Sequence, residues 1–198
     1  MAKIKVVTIG RLYCSGGSEI GKMVADKLCV KCYDREIIDM AAKRSGISMD
    51  EIKKYEEAVL NPLKKPINFF GKDKDVDITE RIFAAETEVI YDIVSKEDCV
   101  IVGRCADFIL KNRVKTLDVF ICANHEKRQQ AAMEKHHIPY DDVDSRLKKY
   151  DKKRADFYNS NTNKKWDDMN SYDMCLDSGK LGLDTCAEII AQTVMHSK

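Results

Sequence analysis

The chain has 198 residues, of which 44% are hydrophobic and 34% charged, and its formal net charge is +1. That length fits one domain with a small insert, and the near-neutral balance supplies no bulk drive toward nucleic acid or a membrane surface. No apolar run reaches 18 residues and Met1-Ala2-Lys3 leads straight into a core-like segment, so neither a spanning helix nor a secretory leader is expected and the chain is read as cytoplasmic.

Residues 4–9 form a short β-branched run, the pattern of a buried parallel strand. Residues 10–17 are a glycine- and serine-bearing loop. From Ser18 the period changes, and Ile20, Met23, Val24 and Leu28 fall on one helical face, with Ser18 as the expected cap and Glu19 at the positive end. Strand, glycine loop and helix start together make an anion site from backbone N–H groups and the helix dipole. The other reading is an ordinary tight β–α turn. G-x-x-x-x-G-K-[ST] does not fit from Gly10; aligned at Ser15-Gly16, Gly17 stands at the lysine position and Glu19 at the hydroxyl position. G-x-G-x-x-G is also absent, so an NAD-linked reading rests on Asp34 alone, placed where a dinucleotide fold holds its ribose.

Residues 29–33 read as the second strand, ending at Asp34, and 35–45 as a helix stopped by Gly46. Ser48-Met49-Asp50-Glu51 carries a capping box and opens another helix. Residues 61–77 are the least regular stretch. With Pro62, Pro66 and the exposed-looking Phe69-Phe70 they read as a loop over a substrate, a homodimer contact or plain connection. Residues 78–95 have strong helical spacing, 99–102 are an apolar strand with Gly103-Arg104 at its carboxyl end, and 106–110 a short helix. Strand 116–122, helices 125–136 and 140 to about 158, a polar loop tip at 159–163, strand 172–177 and helix 183–196 complete the chain. The order β-α-β-α-α-α-β-α-β-α-α-β-α predicts an α/β fold, a parallel sheet of about five strands with helices on both faces.

The eight cysteines include one C-x-x-C, Cys29 and Cys32, that no second pair answers, so free thiols are expected rather than a zinc site. Cys14 stands apart, because a helix N-terminus lowers a thiol's pKa.

The loop Gly10-Arg11-Leu12-Tyr13-Cys14-Ser15-Gly16-Gly17-Ser18-Glu19-Ile20-Gly21, the pair Tyr33-Asp34, the strand end Gly103-Arg104, and the series Lys153-Arg154…Tyr158-Asn159…Trp166…Tyr172-Asp173 occur in that order. Together they resemble the cytidylate kinase-like family of P-loop nucleoside monophosphate kinases, whose loop reads S-R-x-x-G-S-G-G-x-x-I-G. The resemblance covers nearly the whole chain. It implies a three-layer P-loop fold with core 1–34, 78–149 and 170–198, a monophosphate-binding insert at about 35–77 and a helical lid at about 150–169. It implies a phosphotransferase that carries phosphoryl from ATP, with Mg2+, to a nucleoside monophosphate such as CMP or dCMP. In such chemistry the protein mainly positions phosphates and neutralises charge.

On that basis Arg11, Arg104 and Arg154 are the expected catalytic cations, and residues Cys14, Ser15, Gly16, Gly17, Ser18 and Glu19 the ATP loop. Asp34, Arg35, Arg81 and Arg104 are the expected acceptor contacts, with Asp34 also toward Mg2+. Each has a plainer reading: Arg11 as a solvated loop residue, Asp34 as a helix cap, Arg35 and Arg81 as surface charge, Arg154 as one of many charges on its helix. Trp166 with Tyr158 either packs the lid or stacks a base. Gly17, Glu19, Cys14 and Val102 depart from the authentic kinase pattern. A degenerate module that binds a nucleotide without turning it over is the alternative.

Overall fold

In the computed structural model, which describes residues 3–48, 50–51 and 74–197, five strands are present: β1 Val6–Arg11, β2 Lys31–Tyr33, β3 Cys99–Val102, β4 Thr116–Cys122 and β5 Met174–Asp177. They form one sheet in the order β2-β3-β1-β4-β5, with every neighbouring pair parallel. The helices are α1 Gly17–Leu28, α2 Glu36–Ser45, α3 Lys74–Lys96, α4 Ala106–Leu110, α5 His125–His136, α6 Tyr140–Thr162, α7 Ser178–Leu181 and α8 Leu183–Met195. The chain divides into two compact units, Met1–Asp34 with Ile93–Lys198, and Arg35–Asp92.

The sheet lies wholly in the first unit. From β1 the chain goes out to the edge strand β2, returns to β3 beside β1, then crosses to β4 on the other side of β1. The carboxyl end of β1 is therefore a topological switch point, where parallel sheets open a crevice. One face of the sheet carries Val7, Ile9, Val100, Val102, Val119 and Ile121. These residues meet Ile20 and Val24 of α1 and Ala187, Ile190 and Val194 of α8 in one continuous core. On the opposite face Phe120 meets Trp166 edge-on at 5.4 Å and Tyr172 at 5.0 Å. Trp166 and Tyr158 are both buried. Of the two readings for these rings, packing is the one realised.

In the second unit, Ile38 and Ala42 of α2 join Ile47 and Ile82 of α3 in a small apolar cluster. Arg44 pairs with Glu88 at 3.0 Å and Asp92 at 2.5 Å. The capping box is formed: Glu51 accepts the Ser48 N–H at 2.9 Å, and the Ser48 hydroxyl accepts the Glu51 N–H at 3.2 Å. Residues 52–73, including Phe69-Phe70 and the dimer reading attached to them, lie outside the described residues.

Several predicted ends move. The helix expected from Ser18 begins at Gly17 with Gly16 as its N-cap and no side-chain cap, because the left-handed turn at Gly16 (φ 77°) already redirects the chain. β2 starts at Lys31 rather than residue 29, since Cys29 is the left-handed C-cap of α1. α3 begins at Lys74, within the stretch expected as loop. The polar segment 159–162 is not a loop tip. It continues α6 to Thr162, whose hydroxyl donates to the Tyr158 carbonyl at 2.7 Å, and Asn163 ends the helix. β5 starts at Met174, two residues late, after a 3-10 turn at Met169–Ser171.

Candidate active site at the glycine loop

The loop between β1 and α1 sits at the switch point, and its backbone is anchored from three sides. The Leu12 N–H donates to the Ile121 carbonyl at 3.0 Å. The buried Ser15 hydroxyl lies 2.8 Å from the Leu12 carbonyl and 3.1 Å from that of Ile121. Ser178, at the end of β5, places its hydroxyl 2.6 Å from the Ser15 carbonyl and 3.0 Å from that of Cys122. The amides of Gly17 and Ser18 then open α1 without intrahelical acceptors. This is the backbone arrangement that holds phosphate at helix starts.

Arg11 is built into this loop. A Cβ placed on Gly17 would lie 2.5 Å from the Arg11 Cβ and 2.8 Å from its Cγ, so the Arg11 stem fills the space where a side chain at position 17 would start. Its guanidinium lies across Gly103, where a Cβ would collide with Nη1, and Gly103 also needs its left-handed φ of 77°. The far end meets Asp34, with Nη2 3.3 Å from Oδ1. Arg11 is thus a fixed cation at the base of the loop.

Arg154, on α6, donates from Nη1 to the Arg11 carbonyl at 2.9 Å. Burial pushes its guanidinium below the ordinary value, and the carboxylates of Asp151 and Asp34 pull it back up; a guanidinium stays charged throughout. Arg104 follows Gly103 and, like Cys105 after it, is left-handed, at φ 58° and 53°. Two consecutive non-glycine residues in that region are held strain, of a kind that gathers at functional sites.

The structure therefore brings Arg11, Asp34 and Arg154 together at the glycine loop, with Gly103-Arg104 beside the Arg11 guanidinium. It does not add Glu19. That carboxylate turns to Lys135 of α5 at 3.0 Å. Ser18, not Glu19, directly follows Gly17 in the first turn, so the loop keeps a hydroxyl at the position that the motif requires. Arg35 and Arg81 are exposed residues of the unit Arg35–Asp92. Cys14 also departs from expectation: burial pushes its thiol up to about 11, against Arg128 and Arg154, which lower it. It is not an activated thiolate. None of the eight cysteines is in a disulfide.

Two residues at the loop were not foreseen. Arg128 of α5 is 8% exposed, and its Nε donates to the Tyr13 carbonyl at 2.8 Å. Asp151 of α6 accepts the Tyr13 N–H at 2.7 Å and pairs with Arg128. The signal available for Asp151 was its place beside Arg154 on the stripe of α6 that carries the buried Val143, Leu147 and Tyr158. Polar residues on an apolar stripe are the informative ones.

No group of three metal-binding side chains occurs among the described residues. Mg2+ commonly takes only one or two protein groups beside substrate phosphates, and the Ser18 hydroxyl and Asp34 carboxylate are groups of that chemistry. No helix among the described residues is long and apolar enough to cross a membrane.

Comparison with known proteins places the chain among kinase-like proteins. The profile of the cytidylate kinase-like family matches residues 6–180. A cytidylate kinase of Methanocaldococcus jannaschii is 27% identical over 203 residues, spanning 98% of this chain and 99% of that protein. An uncharacterized protein from Eubacterium ventriosum has a similar structure, with a TM-score of 0.71 at 26% identity over 98% of this chain and 100% of that one. A shikimate kinase from Bacteroides thetaiotaomicron shares the fold at a TM-score of 0.57 and 14% identity, covering 98% and 99% of the two chains.

Proposed function

The chain belongs to the cytidylate kinase-like family, and from that premise we propose that it transfers the γ-phosphoryl group of ATP to a nucleoside monophosphate of the CMP or dCMP kind. The observation that carries the reading is Arg11, seated where a loop lysine's side chain would begin and held over Gly103 toward Asp34. A phosphoryl transfer needs fixed positive charge around the migrating group more than it needs a nucleophile from the protein.

In this reading the amides of residues 16–18 receive the ATP phosphates at the start of α1, and Arg11 and Arg154 neutralise charge that builds as the phosphoryl group moves. Mg2+, when bound, neutralises phosphate charge, and the Ser18 hydroxyl and Asp34 are the groups that would hold it. An acceptor phosphate oxygen attacks the γ-phosphorus, the bond to the β–γ bridging oxygen breaks, and ADP leaves with that electron pair. Arg104 meets the acceptor. Arg35, Arg81 and the insert at about 35–77 are assigned to acceptor binding, and residues of about 150–169 to a lid, by the family resemblance.

The test is ADP formation and CMP phosphorylation by the purified chain with Mg-ATP, alongside Arg11→Ala and Arg104→Ala. Transfer by the wild type, lowered on the order of a hundredfold or more in either variant, supports the proposal. Nucleotide binding without turnover assigns the chain to the degenerate binding module instead.

A further inference from the structure

Tyr13 of the glycine loop is held through both its backbone and its ring. Its N–H donates to Asp151 Oδ1 at 2.7 Å, and its carbonyl accepts from Arg128 Nε at 2.8 Å. Arg128 Nη2 then meets Asp151 Oδ2, so two side chains from α5 and α6 close a charged bracket around one loop residue. The ring is held as well. It stacks on Tyr150 at 4.3 Å with planes 20° apart, and on His136 at 5.5 Å and 27°, while the Arg154 guanidinium lies 5.5 Å from its centroid.

From these contacts we infer that Asp151 is a positioning residue, which with Arg128 locks Tyr13 so that the rest of the loop stays shaped for phosphate. Three points support it. The next residue, Cys14, is left-handed at φ 60°, a conformation that a side chain holds only under outside constraint. The Tyr13 amide is committed to a carboxylate, which leaves the anion to the amides that follow at the start of α1. Asp151 also pairs with Arg128 directly, so that this buried guanidinium is spent on shaping the loop. The same helix reaches the loop twice, through Asp151 to Tyr13 and through Arg154 to the Arg11 carbonyl. The inference rests on the glycine loop being the phosphate site of the function proposed above.

The test compares wild type, Asp151→Asn and Asp151→Ala by amide hydrogen exchange at Tyr13, by calorimetric titration with inorganic pyrophosphate, and by KM for ATP against kcat. Asn keeps an oxygen for the Tyr13 N–H but loses the charge; Ala loses both. The expected result is faster Tyr13 exchange in Asp151→Ala with protection in β1 and α8 unchanged. Pyrophosphate affinity should fall and KM for ATP rise about 10- to 100-fold, kcat should change less, and Asn should be intermediate. Unchanged exchange and affinity in both variants would overturn the inference, as would tighter pyrophosphate binding, which would mean that the carboxylate competes with phosphate. If no variant or wild type transfers phosphoryl, the proposed function fails, and exchange with pyrophosphate titration still decides the role of Asp151.

Discussion

Arg11 occupies the ground of Gly17: a Cβ at position 17 would stand 2.5 Å from the Cβ of Arg11. The two residues are six positions apart, and each accounts for the other. The glycine is small because the arginine stem passes there. A cation from the end of β1 therefore stands beside the position where the motif has a lysine.

Adding a side chain at position 17 alone therefore pushes Arg11 aside. Gly17→Ala is expected to destabilise the fold by about 1–3 kcal/mol and to lower transfer far more than stability explains. Gly17→Lys in the wild-type background should be worse than Gly17→Lys combined with Arg11→Gly, which clears the space. Steady-state kinetics with chemical denaturation on the four proteins checks this. Equal activity in Gly17→Ala and wild type would show that the Arg11 position is unimportant.

Gly103 carries two demands, a left-handed φ of 77° and the Arg11 guanidinium lying across it. Gly103→Ala should cost about 1–3 kcal/mol of stability and break the 3.3 Å contact between Arg11 and Asp34. Thermal unfolding and a structure of the variant would read both effects. Asp34→Asn, which removes the charge without touching Gly103, should leave stability nearly unchanged, since partly exposed pairs contribute about 0–1 kcal/mol.

Asp118, on β4, is pushed up to about 6 by burial, against the Thr8 hydroxyl, which donates to it at 2.7 Å. Its folded pKa lies above its ordinary value of 3.8, so the neutral carboxyl is favoured by folding. The stability it contributes is whole below about pH 4 and is lost as pH rises through 6, an effect of up to about 3 kcal/mol. Asp118→Asn stays neutral throughout. Denaturation at pH 4 to 7 should show the variant gaining on wild type as pH rises; a constant difference would mean that Asp118 does not titrate there.

The parts of the fold legible in the sequence were those where one signal dominates. An unbroken apolar run marked β3 at its observed ends; β4, mostly apolar but with Asp118 inside it, and the helix at 125–136 were also placed at their observed ends. The segment 159–162 misled because its residues are polar, yet Asn159 accepts the Trp166 N–H at 2.9 Å and Thr162 bonds back into its own helix. Local composition does not show such closures. The family's pattern singled out Arg11 and Arg154, and the structure places both at the glycine loop. What the sequence could not show was that Arg11 reaches Asp34 across 23 positions, or that Arg128 and Asp151, separated in the chain by the same distance, meet on Tyr13. Both depend on which strand ends the sheet order brings together.

The measurement that bears most directly on the central claim is phosphoryl transfer from Mg-ATP to CMP or dCMP by the purified chain, with Arg11→Ala assayed beside it. The wild type is expected to form the corresponding diphosphate, with a drop on the order of a hundredfold or more when Arg11 is removed. Wild-type protein that binds ATP and CMP yet forms no diphosphate, or an Arg11→Ala variant as active as wild type, would contradict it.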